Sequence, residues 1–433
     1  EGIIRSGSNA INIKSDTKFV YGDHSLILNG ADFISPVRER VESSRIESDN
    51  SVHFNKTSGN LSYQFAGDLN IEWQMTLADI DKADFKGISD DMIDNRFTGV
   101  SISPGISNRI LWERDSWRAE AGLPISLNYM RYSNDGIGDT ALKPSVYPSA
   151  GIRYSFSQSS QIGVNGSYLL TSSSLSSADS GTLITDYRTA IAEGMLNTRS
   201  SWRGRVYFRY NDIFKMMSGN ISAGIYGNSS DVMPSFDYSE DMSLSSLIKR
   251  RNSSSQYYAD ASIKKHFGIR KLIVEISGGT SLSKENVMLQ SDENTYYTRS
   301  FNGKLSLSSE PASWLRAEAE CVYDNSKVLD AETDPVSSFT TTGSIHIRPV
   351  SKFTVSGSVF HLHQISEDLR ISNTPILKAG CNYKFKKFTI FGECINLLNS
   401  NEFKRESISM FRTYSNSFHL RGRKWMIGIR MSL

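Results

Sequence analysis

The chain has 433 residues, with 48 Lys and Arg against 46 Asp and Glu, a net charge of +2 and a mean hydropathy of −0.35. This balance, without a basic stripe interleaved with aromatics, argues against a nucleic-acid-binding protein. No apolar run approaches the ~18 residues that a membrane helix needs, so a helical membrane protein is excluded. Gly, Ser, Asn and Tyr are spread evenly and no Pro-rich or charged linker divides the chain, which favours one continuous architecture.

Alternation of apolar and polar residues recurs along the whole chain and predicts β-strands, because successive side chains of a strand point to opposite faces. The earliest predicted strand lies near residues 9–15, and a partner strand lies near 24–30. The clearest alternation joins five apolar positions, Leu69, Ile71, Trp73, Met75 and Leu77, to the polar positions Asn70, Glu72, Gln74 and Thr76. Comparable patterns occupy residues 203–210, 315–323 and 424–433.

Two classes of connection separate the predicted strands. Short turns are expected near residues 66–68, 113–116, 157–159, 211–216, 267–269, 309–312, 349–351 and 386–387. Long loops rich in Ser, Asn, Asp and Gly are expected at residues 31–57, 79–95, 132–148, 171–197, 228–254, 283–297, 326–337, 364–375 and 397–420. Short turns on one side and long loops on the other are typical of an outer-membrane β-barrel.

The predicted fold is therefore all-β, a large antiparallel transmembrane β-barrel that occupies residues 1–433 as a single domain. The alternation gives about nineteen strands, whereas single-chain bacterial barrels have even strand numbers. Large outer-membrane transporters have about twenty-two strands. We therefore expect the first strands to lie outside this sequence.

Charged side chains on the polar face of the predicted strands are expected to face the lumen, because an Arg or Lys facing lipid at the bilayer midplane costs roughly 2–4 kcal/mol. The lumen-facing candidates are Arg203, Arg205, Arg209, Arg316, Glu318, Glu320 and Arg430. A general interior network of ion pairs is the favoured interpretation, and a dedicated substrate site is the alternative. Aromatic residues in the predicted loops, which could stack on sugars or peptides, are Tyr147, Phe236, Tyr238, Tyr296 and Tyr297.

Histidine and cysteine give little indication of metal or redox chemistry. His361 and His363 share one strand face, but a metal site needs three or four ligands, so an interface role is favoured and no metal is expected. A turn at residues 386–387 would place Cys381 and Cys394 nearly opposite each other, which allows a cross-strand disulfide. The favoured alternative is that both are small apolar groups facing lipid. No phosphate loop, zinc-protease motif or nucleophile elbow occurs, so neither a cofactor nor an enzymatic activity is predicted.

The C-terminal part resembles the end of the barrel in TonB-dependent outer-membrane receptors. The resemblance rests on residues 388–399, which end in Asn396, Leu397, Leu398 and Asn399, on residues 420–423, and on a final alternating strand, together about 45 residues. Leu398 replaces the aromatic residue of the family pattern, Leu420-Arg421 replaces its Leu-Pro step, and Leu433 ends the chain where Phe is usual.

This resemblance implies active uptake of a nutrient across the outer membrane, with an N-terminal plug domain and a TonB-type energising protein as partners and lipid around the barrel. The Ser/Asn-rich loops resemble those of receptors from Bacteroidota, which implies a surface lipoprotein as a further partner. Two alternatives remain: a non-transporting barrel that serves as a structural or binding platform, and a secreted all-β protein that needs no detergent for extraction.

Overall fold

The structure is a computed structural model. It describes residues 2–6, 9–28, 37–81, 95–134, 137–172, 174–178, 182–186, 189–192, 195–238, 243–268, 271–330, 334–366, 369–409 and 412–431. No helix in these ranges is long and apolar enough to cross a membrane.

The described chain is almost entirely β-strand. The first half contains β1 (Gly2–Ser6), β2 (Asn9–Leu28), β3 (Val37–Ser58), β4 (Leu61–Asp81), β5 (Asn95–Arg114), β6 (Trp117–Gly122), β7 (Ile125–Asn134), β8 (Ile137–Val146), β9 (Ser149–Ser155), β10 (Ser160–Ser172), β11 (Thr182–Asp186), β12 (Thr189–Ala192), β13 (Thr198–Asp212) and β14 (Met217–Ser230). A short 3-10 helix (Leu175–Ala178) follows β10.

The second half continues in the same way. It contains β15 (Met233–Tyr238), β16 (Ser243–Ile248), β17 (Asn252–Phe267), β18 (Leu272–Leu289), β19 (Asp292–Ala312), β20 (Leu315–Val328), β21 (Val336–Val350), β22 (Phe353–Ser366), β23 (Leu369–Phe385), β24 (Phe388–Ile395), β25 (Glu402–Ser409), β26 (Arg412–His419) and β27 (Lys424–Met431).

Twenty-five strands form one sheet, and β25 and β26 form a separate hairpin. The main sheet is an antiparallel meander from β1 to β27, in which β6–β7 and β8–β9 each form one strand interrupted by a proline, Pro124 or Pro148. Hairpins β11–β12 and β15–β16 extend from one side, where β12 pairs with β16 and β15 with β18 in parallel. When these four strands are set aside and each interrupted pair is counted once, 25 strands reduce to 19 in the described part of the chain.

The two faces of the sheet have reversed polarity compared with a water-soluble protein. One face, the apolar face, exposes large side chains such as Ile263, Ile276 and Leu305, which lie side by side on three paired strands. The other, the polar face, buries Glu72 to 8% and Ser222 to 2% exposure. Exposed apolar side chains around a buried polar surface require an apolar solvent. The predicted all-β fold with a large antiparallel sheet is thus confirmed, and its construction is that of a transmembrane β-barrel.

Five of the eight predicted turns lie where the structure has them, at residues 115–116, 156–159, 213–216 and 386–387 and at residue 268, which follows β17. The predictions at 309–312 and 349–351 fall on irregularities in the strand pairing just before the observed turns. Pro311 and Pro349 interrupt the pairing there. The prediction at 66–68 is wrong. That segment lies inside β4, and the chain turns instead at Gly59, whose φ of +57° suits a residue without a side chain.

Several predicted loops are extended strands. β3 occupies most of the predicted loop 31–57, and β2 joins the two N-terminal strands predicted at 9–15 and 24–30 into one. The predicted loop 132–148 is largely β7 and β8, and that at 283–297 is the end of β18 and the start of β19. The polar composition of these segments indicated loops. In this sheet, however, the polar ends of long strands have the same composition as loops. Much of predicted loop 79–95 lies outside the described residues.

The residues that carry the C-terminal resemblance join the last two strands of the meander. Asn396 is 4% exposed, and its side-chain amide donates to the carbonyls of Ser400 (2.8 Å) and Arg421 (2.9 Å) while its oxygen accepts from the Ser400 N–H (2.8 Å). The Asn399 side-chain oxygen accepts from the Arg423 N–H (2.9 Å), and Arg423 Nε donates to the Leu397 carbonyl (3.0 Å). These bonds fix the end of β24 beside the start of β27.

Two segments from the long-connection side fold over the polar face. Leu175 of the 3-10 helix is 1% exposed and packs against Phe97 and Tyr132. The hairpin β25–β26 is held at Gln364 on β22, whose amide exchanges two 2.9 Å hydrogen bonds with the Glu406 backbone. Both segments narrow the space in front of the polar face at that side of the sheet.

Candidate lumenal site

The structure places all seven predicted lumen-facing residues on the polar face. Arg203, Arg205 and Arg209 lie on β13, the acidic pair and Arg316 on β20, and Arg430 on β27. Paired residues on neighbouring strands point to the same face, so the polar face continues from strand to strand. Arg205 lies opposite Gly224, and Glu320 lies opposite Thr342. Their alignment follows from the alternation, whereas a contact of any of them with a ligand stays a prediction.

The three predicted lumen-facing residues of β20 form ion pairs. Arg316 Nη2 lies 2.5 Å from Glu318 Oε1, and Lys304 Nζ on β19 lies 2.6 Å from Glu320 Oε2. Because these groups form ion pairs with their nearest neighbours, this part of the polar face presents little net charge to the lumen.

Similar pairs occur elsewhere on the polar face. They are Arg45 with Glu72 (3.1 Å), Arg109 with Glu120 (2.5 Å), Lys264 with Glu275 (3.3 Å) and Lys378 with Glu393 (2.6 Å). Except for the pair of the buried Glu72, these pairs join partly exposed side chains and contribute little net stability, with a median of about 0–1 kcal/mol each. Their main effect is to compensate charge along the wall. The favoured sequence interpretation, an interior network of ion pairs, describes these residues well.

The three arginines of β13, here called the arginine row, have a different environment. None of Arg203, Arg205 and Arg209 forms a salt bridge with any residue that the structure describes. The guanidinium carbons of Arg205 and Arg209 lie 5.8 and 5.7 Å from the centre of the Tyr207 ring. That of Arg203 lies 5.9 Å from the centre of the Tyr226 ring. These distances suit cation–π contacts, which hold the arginines without neutralising them.

One carboxylate approaches the arginine row indirectly. Arg205 Nη2 donates to the Ser222 hydroxyl (2.9 Å), and that hydroxyl donates to Asp260 Oδ1 (2.6 Å). Asn220 donates a further hydrogen bond to Asp260 Oδ2 (3.3 Å). Ser222 thus separates Arg205 from the carboxylate, and the Nε atom of Arg205 is buried without a hydrogen-bond partner.

Four of the five aromatic residues predicted in loops lie on strands instead, because the strands extend further than predicted. Phe236 and Tyr238 belong to β15, and Tyr296 and Tyr297 belong to β19. Because β15 pairs with β18 and β18 with β19, these four residues share one part of the sheet. Lys284 Nζ lies 5.8 Å from the centre of the Tyr297 ring. Ligand contact by this group stays a prediction.

Tyr147 lies in a two-residue break between β8 and β9 rather than in the long loop predicted at residues 132–148. Tyr147 connects β8 to β9 inside one interrupted strand, because Pro148 and Pro124 break the pairing there while the Tyr147 N–H donates to the Pro124 carbonyl (2.9 Å). The residue is 41% exposed and lines a cavity of about 590 Å³. Polar residues that share the cavity are His53, Asn55, Gln64, Arg109, Glu120 and Ser149. No sequence pattern indicates this cavity, because it depends on side chains from several strands.

The histidines and cysteines are separate features. The rings of His361 and His363 lie 6.3 Å apart on the apolar face, where His361 Nε2 is 2.6 Å from Asn373 Oδ1. All three cysteines are free. Cys381 lies opposite Gly392 rather than Cys394, so the two sulfur positions are diagonal neighbours and too far apart for a disulfide. The described residues contain no group of three His, Cys, Asp or Glu side chains that could hold a metal.

Comparisons with known proteins return only distant likenesses. No family profile matches the sequence, and no curated protein matches it. Among solved structures, the copper transporter OprC has 9% identity and a TM-score of 0.47, over 99% of this chain and 81% of that chain. FpvA of P. aeruginosa, bound to heterologous pyoverdines, has 11% identity and a TM-score of 0.46, over 98% and 68%. BauA, the ferric preacinetobactin receptor of Acinetobacter baumannii, has 10% identity and a TM-score of 0.37, over 97% and 78%.

Proposed function

We propose that this chain is the barrel of a TonB-dependent outer-membrane receptor that takes up a nutrient. The observation that carries the proposal is a sheet with an apolar outer face and a charged polar face, whose last two strands are joined by the residues of the C-terminal resemblance. Asn396 and Asn399 together with Arg423 make these joining bonds. A charged inner wall suits the passage of polar solutes through a water-filled lumen.

The proposal includes partners. A plug domain in the same polypeptide would close the lumen, a TonB-type protein would supply energy, and outer-membrane lipid would cover the apolar face. A surface lipoprotein would assist capture of the nutrient at the hairpins β11–β12, β15–β16 and β25–β26. No catalytic role is proposed.

A growth experiment tests uptake even when the substrate is not identified. The strain lacking this protein and the strain lacking the TonB-type protein are grown in a panel of media, each limiting for one nutrient. Uptake predicts at least one medium in which both strains grow poorly and in which a plasmid copy restores only the first. Normal growth of the first strain in every medium would contradict uptake.

The second candidate is a non-transporting platform, and mass measurement separates the two. The native protein is extracted from outer membranes with detergent, and its intact mass is determined. A mass well above 48.4 kDa is expected if a plug belongs to the polypeptide. A mass near 48.4 kDa would favour the platform, and recovery of the protein without detergent would contradict both membrane proposals.

A further inference from the structure

We propose that the arginine row is a binding site for a small, multiply charged anion with carboxylate or phosphate groups. The inference deepens the proposed function and rests on it, because it names the chemical class of solute that the lumen would conduct. It uses Arg203, Arg205 and Arg209 of β13 together with the tyrosines that hold them.

The first argument is charge. Other lumenal cations, such as Arg45, Lys304 and Lys378, have a carboxylate oxygen within 3.1 Å. The arginine row has none within salt-bridge distance among the residues that the structure describes. Three guanidinium groups on one strand, none of them in a direct salt bridge, create a positive potential along that side of the lumen, although Asp260 lies beyond Ser222, and this potential concentrates anions.

The second argument is preorganisation. Arg205 and Arg209 lie against the Tyr207 ring, and Arg203 against the Tyr226 ring. A guanidinium group held over a ring keeps its N–H edge available, and that edge matches carboxylate and phosphate oxygens in two parallel hydrogen bonds. Because the rings limit side-chain motion before binding, less conformational entropy is lost when the anion binds.

The third argument is space and unmet hydrogen bonding. The positions opposite the row on both neighbouring strands are small or neutral: Ser167, Asn165 and Gln161 on β10, and Tyr226, Gly224 and Asn220 on β14. On β9, Arg153 faces the same lumen, and the Nε atoms of Arg153 and Arg205 are buried without a partner. A buried donor without an acceptor is unfavourable, so the protein itself does not fully satisfy either guanidinium group.

The fourth argument is length. A strand rises about 3.3 Å per residue, so Arg203 and Arg205 are roughly 7 Å apart and the whole row covers roughly 20 Å. A ligand with two or three anionic groups can contact neighbouring arginines together, and it can pass from one to the next. An acidic polypeptide is the competing occupant, and the experiment includes it.

The test is calorimetric titration of the full chain in detergent at low ionic strength, with pyrophosphate, citrate and an oligoglutamate peptide as probes. The row variant R203Q/R205Q/R209Q is compared with the control variant R45Q/K304Q/K378Q, which removes the same charge from lumenal cations that are already paired. Heat-modifiable migration on electrophoresis checks that each variant is folded.

We expect pyrophosphate or citrate to bind the wild type, and the row variant to bind at least about tenfold more weakly, equivalent to about 1.4 kcal/mol. The control variant should remain within about twofold, because its cations are already neutralised by carboxylates. Equal weakening of anion binding in both variants would mean that binding depends on the general charge of the lumen, and would overturn the proposal. Absence of binding by both small anions, or binding of oligoglutamate alone, would also overturn it.

Binding in detergent requires neither an energising protein nor transport, so the two proposals fail separately. If the strain lacking this protein grew normally in every medium while the protein bound the anions, the transport proposal would be rejected and the binding site would stand. If both strains shared a growth defect but the arginine row bound no anion, the transport proposal would stand and the binding site would be rejected.

Discussion

Gly163 on β10 leaves the space that the Tyr207 ring occupies. A Cβ atom at Gly163 would lie 2.5 Å from Tyr207 Cζ, closer than non-bonded atoms approach, whereas a Cβ at Gly166 would have the Arg203 carbonyl as its nearest neighbour at 3.5 Å. Both glycines lie in the same strand. Gly163 therefore positions the ring on which Arg205 and Arg209 lie.

We expect Gly163→Ala to lower the free energy of unfolding by about 1–3 kcal/mol, as overpacking does, and to weaken anion binding because the ring must move. Gly166→Ala is the matched control and should change the free energy of unfolding and the affinity for the anion by much less. The measurements are urea unfolding in bilayers and the calorimetric titration. Equal effects of the two substitutions would contradict the role of the Tyr207 ring.

A second residue-scale prediction concerns the apolar face. Ile276 is 52% exposed on this face, and its neighbour Ser277 points to the polar face. Ile276→Arg should lower the free energy of unfolding from a bilayer by up to about 2–4 kcal/mol, because the charge meets lipid. Ser277→Arg, the matched control, should cost under about 1 kcal/mol. A larger loss for Ser277→Arg would mean that the faces are reversed.

At the residue scale, the sequence predicted which face a side chain occupies but not which side chain it contacts. Alternation assigned Arg203 and Arg316 to the same face. Only the strand pairing shows that Glu320, on the same face, meets Lys304 of β19 while Arg203 meets Tyr226 of β14. Contacts between strands depend on pairing over long sequence separations, and alternation carries no information about them.

The hairpin β25–β26 folds over the polar face and is attached to β22 and β23. Its attachment includes the Gln364 amide on the Glu406 backbone, and the Thr374 hydroxyl donates to the Glu402 carbonyl (3.2 Å). The Phe403 ring packs near Phe360, with ring centres 6.2 Å apart. Within the hairpin, the pKa of Glu402 is held below its usual range because the Ser417 hydroxyl and Lys404 stabilise the carboxylate.

Gln364→Ala should release the hairpin, because two backbone groups of Glu406 lose their partners, at about 1–3 kcal/mol each when they stay buried. The expected result is severalfold faster tryptic cleavage after Lys404 or Arg405, measured by mass spectrometry of the folded protein in detergent. Gln256→Ala on β17, far from the hairpin in sequence, is the control. An unchanged cleavage rate would show that Gln364 does not hold the hairpin.

At the element scale, turns were easier to predict than strand lengths. Two predicted turns coincide with Pro311 and Pro349, which interrupt the pairing near the ends of β19 and β21 because proline cannot donate a ladder hydrogen bond. β3 was missed because Ser, Asn, Arg and Glu predominate in it, a composition that also describes loops. A strand that continues beyond the membrane needs no apolar face, so alternation cannot show its full length.

At the scale of the whole molecule, the count of about nineteen strands agrees with the 19 segments of the meander, although the first few were placed wrongly along the chain. Among the described residues, β1 pairs only with β2 and β27 only with β24. The reversed polarity of the two faces is the property on which every proposal depends, because it makes the apolar face contact lipid and the polar face line a lumen.

The most direct test of this claim is a spin-label scan of β19, which has paired strands on both sides. In a background without Cys321, Cys381 and Cys394, single nitroxides are placed at residues 305–308, and the protein is reconstituted in liposomes. Collision rates with oxygen, which dissolves in lipid, and with a water-soluble nickel complex are measured at each position. We predict that oxygen dominates at Leu305 and Leu307 and nickel at Ser306 and Ser308. Equal access of the nickel complex to all four positions, or the opposite alternation, would contradict the account.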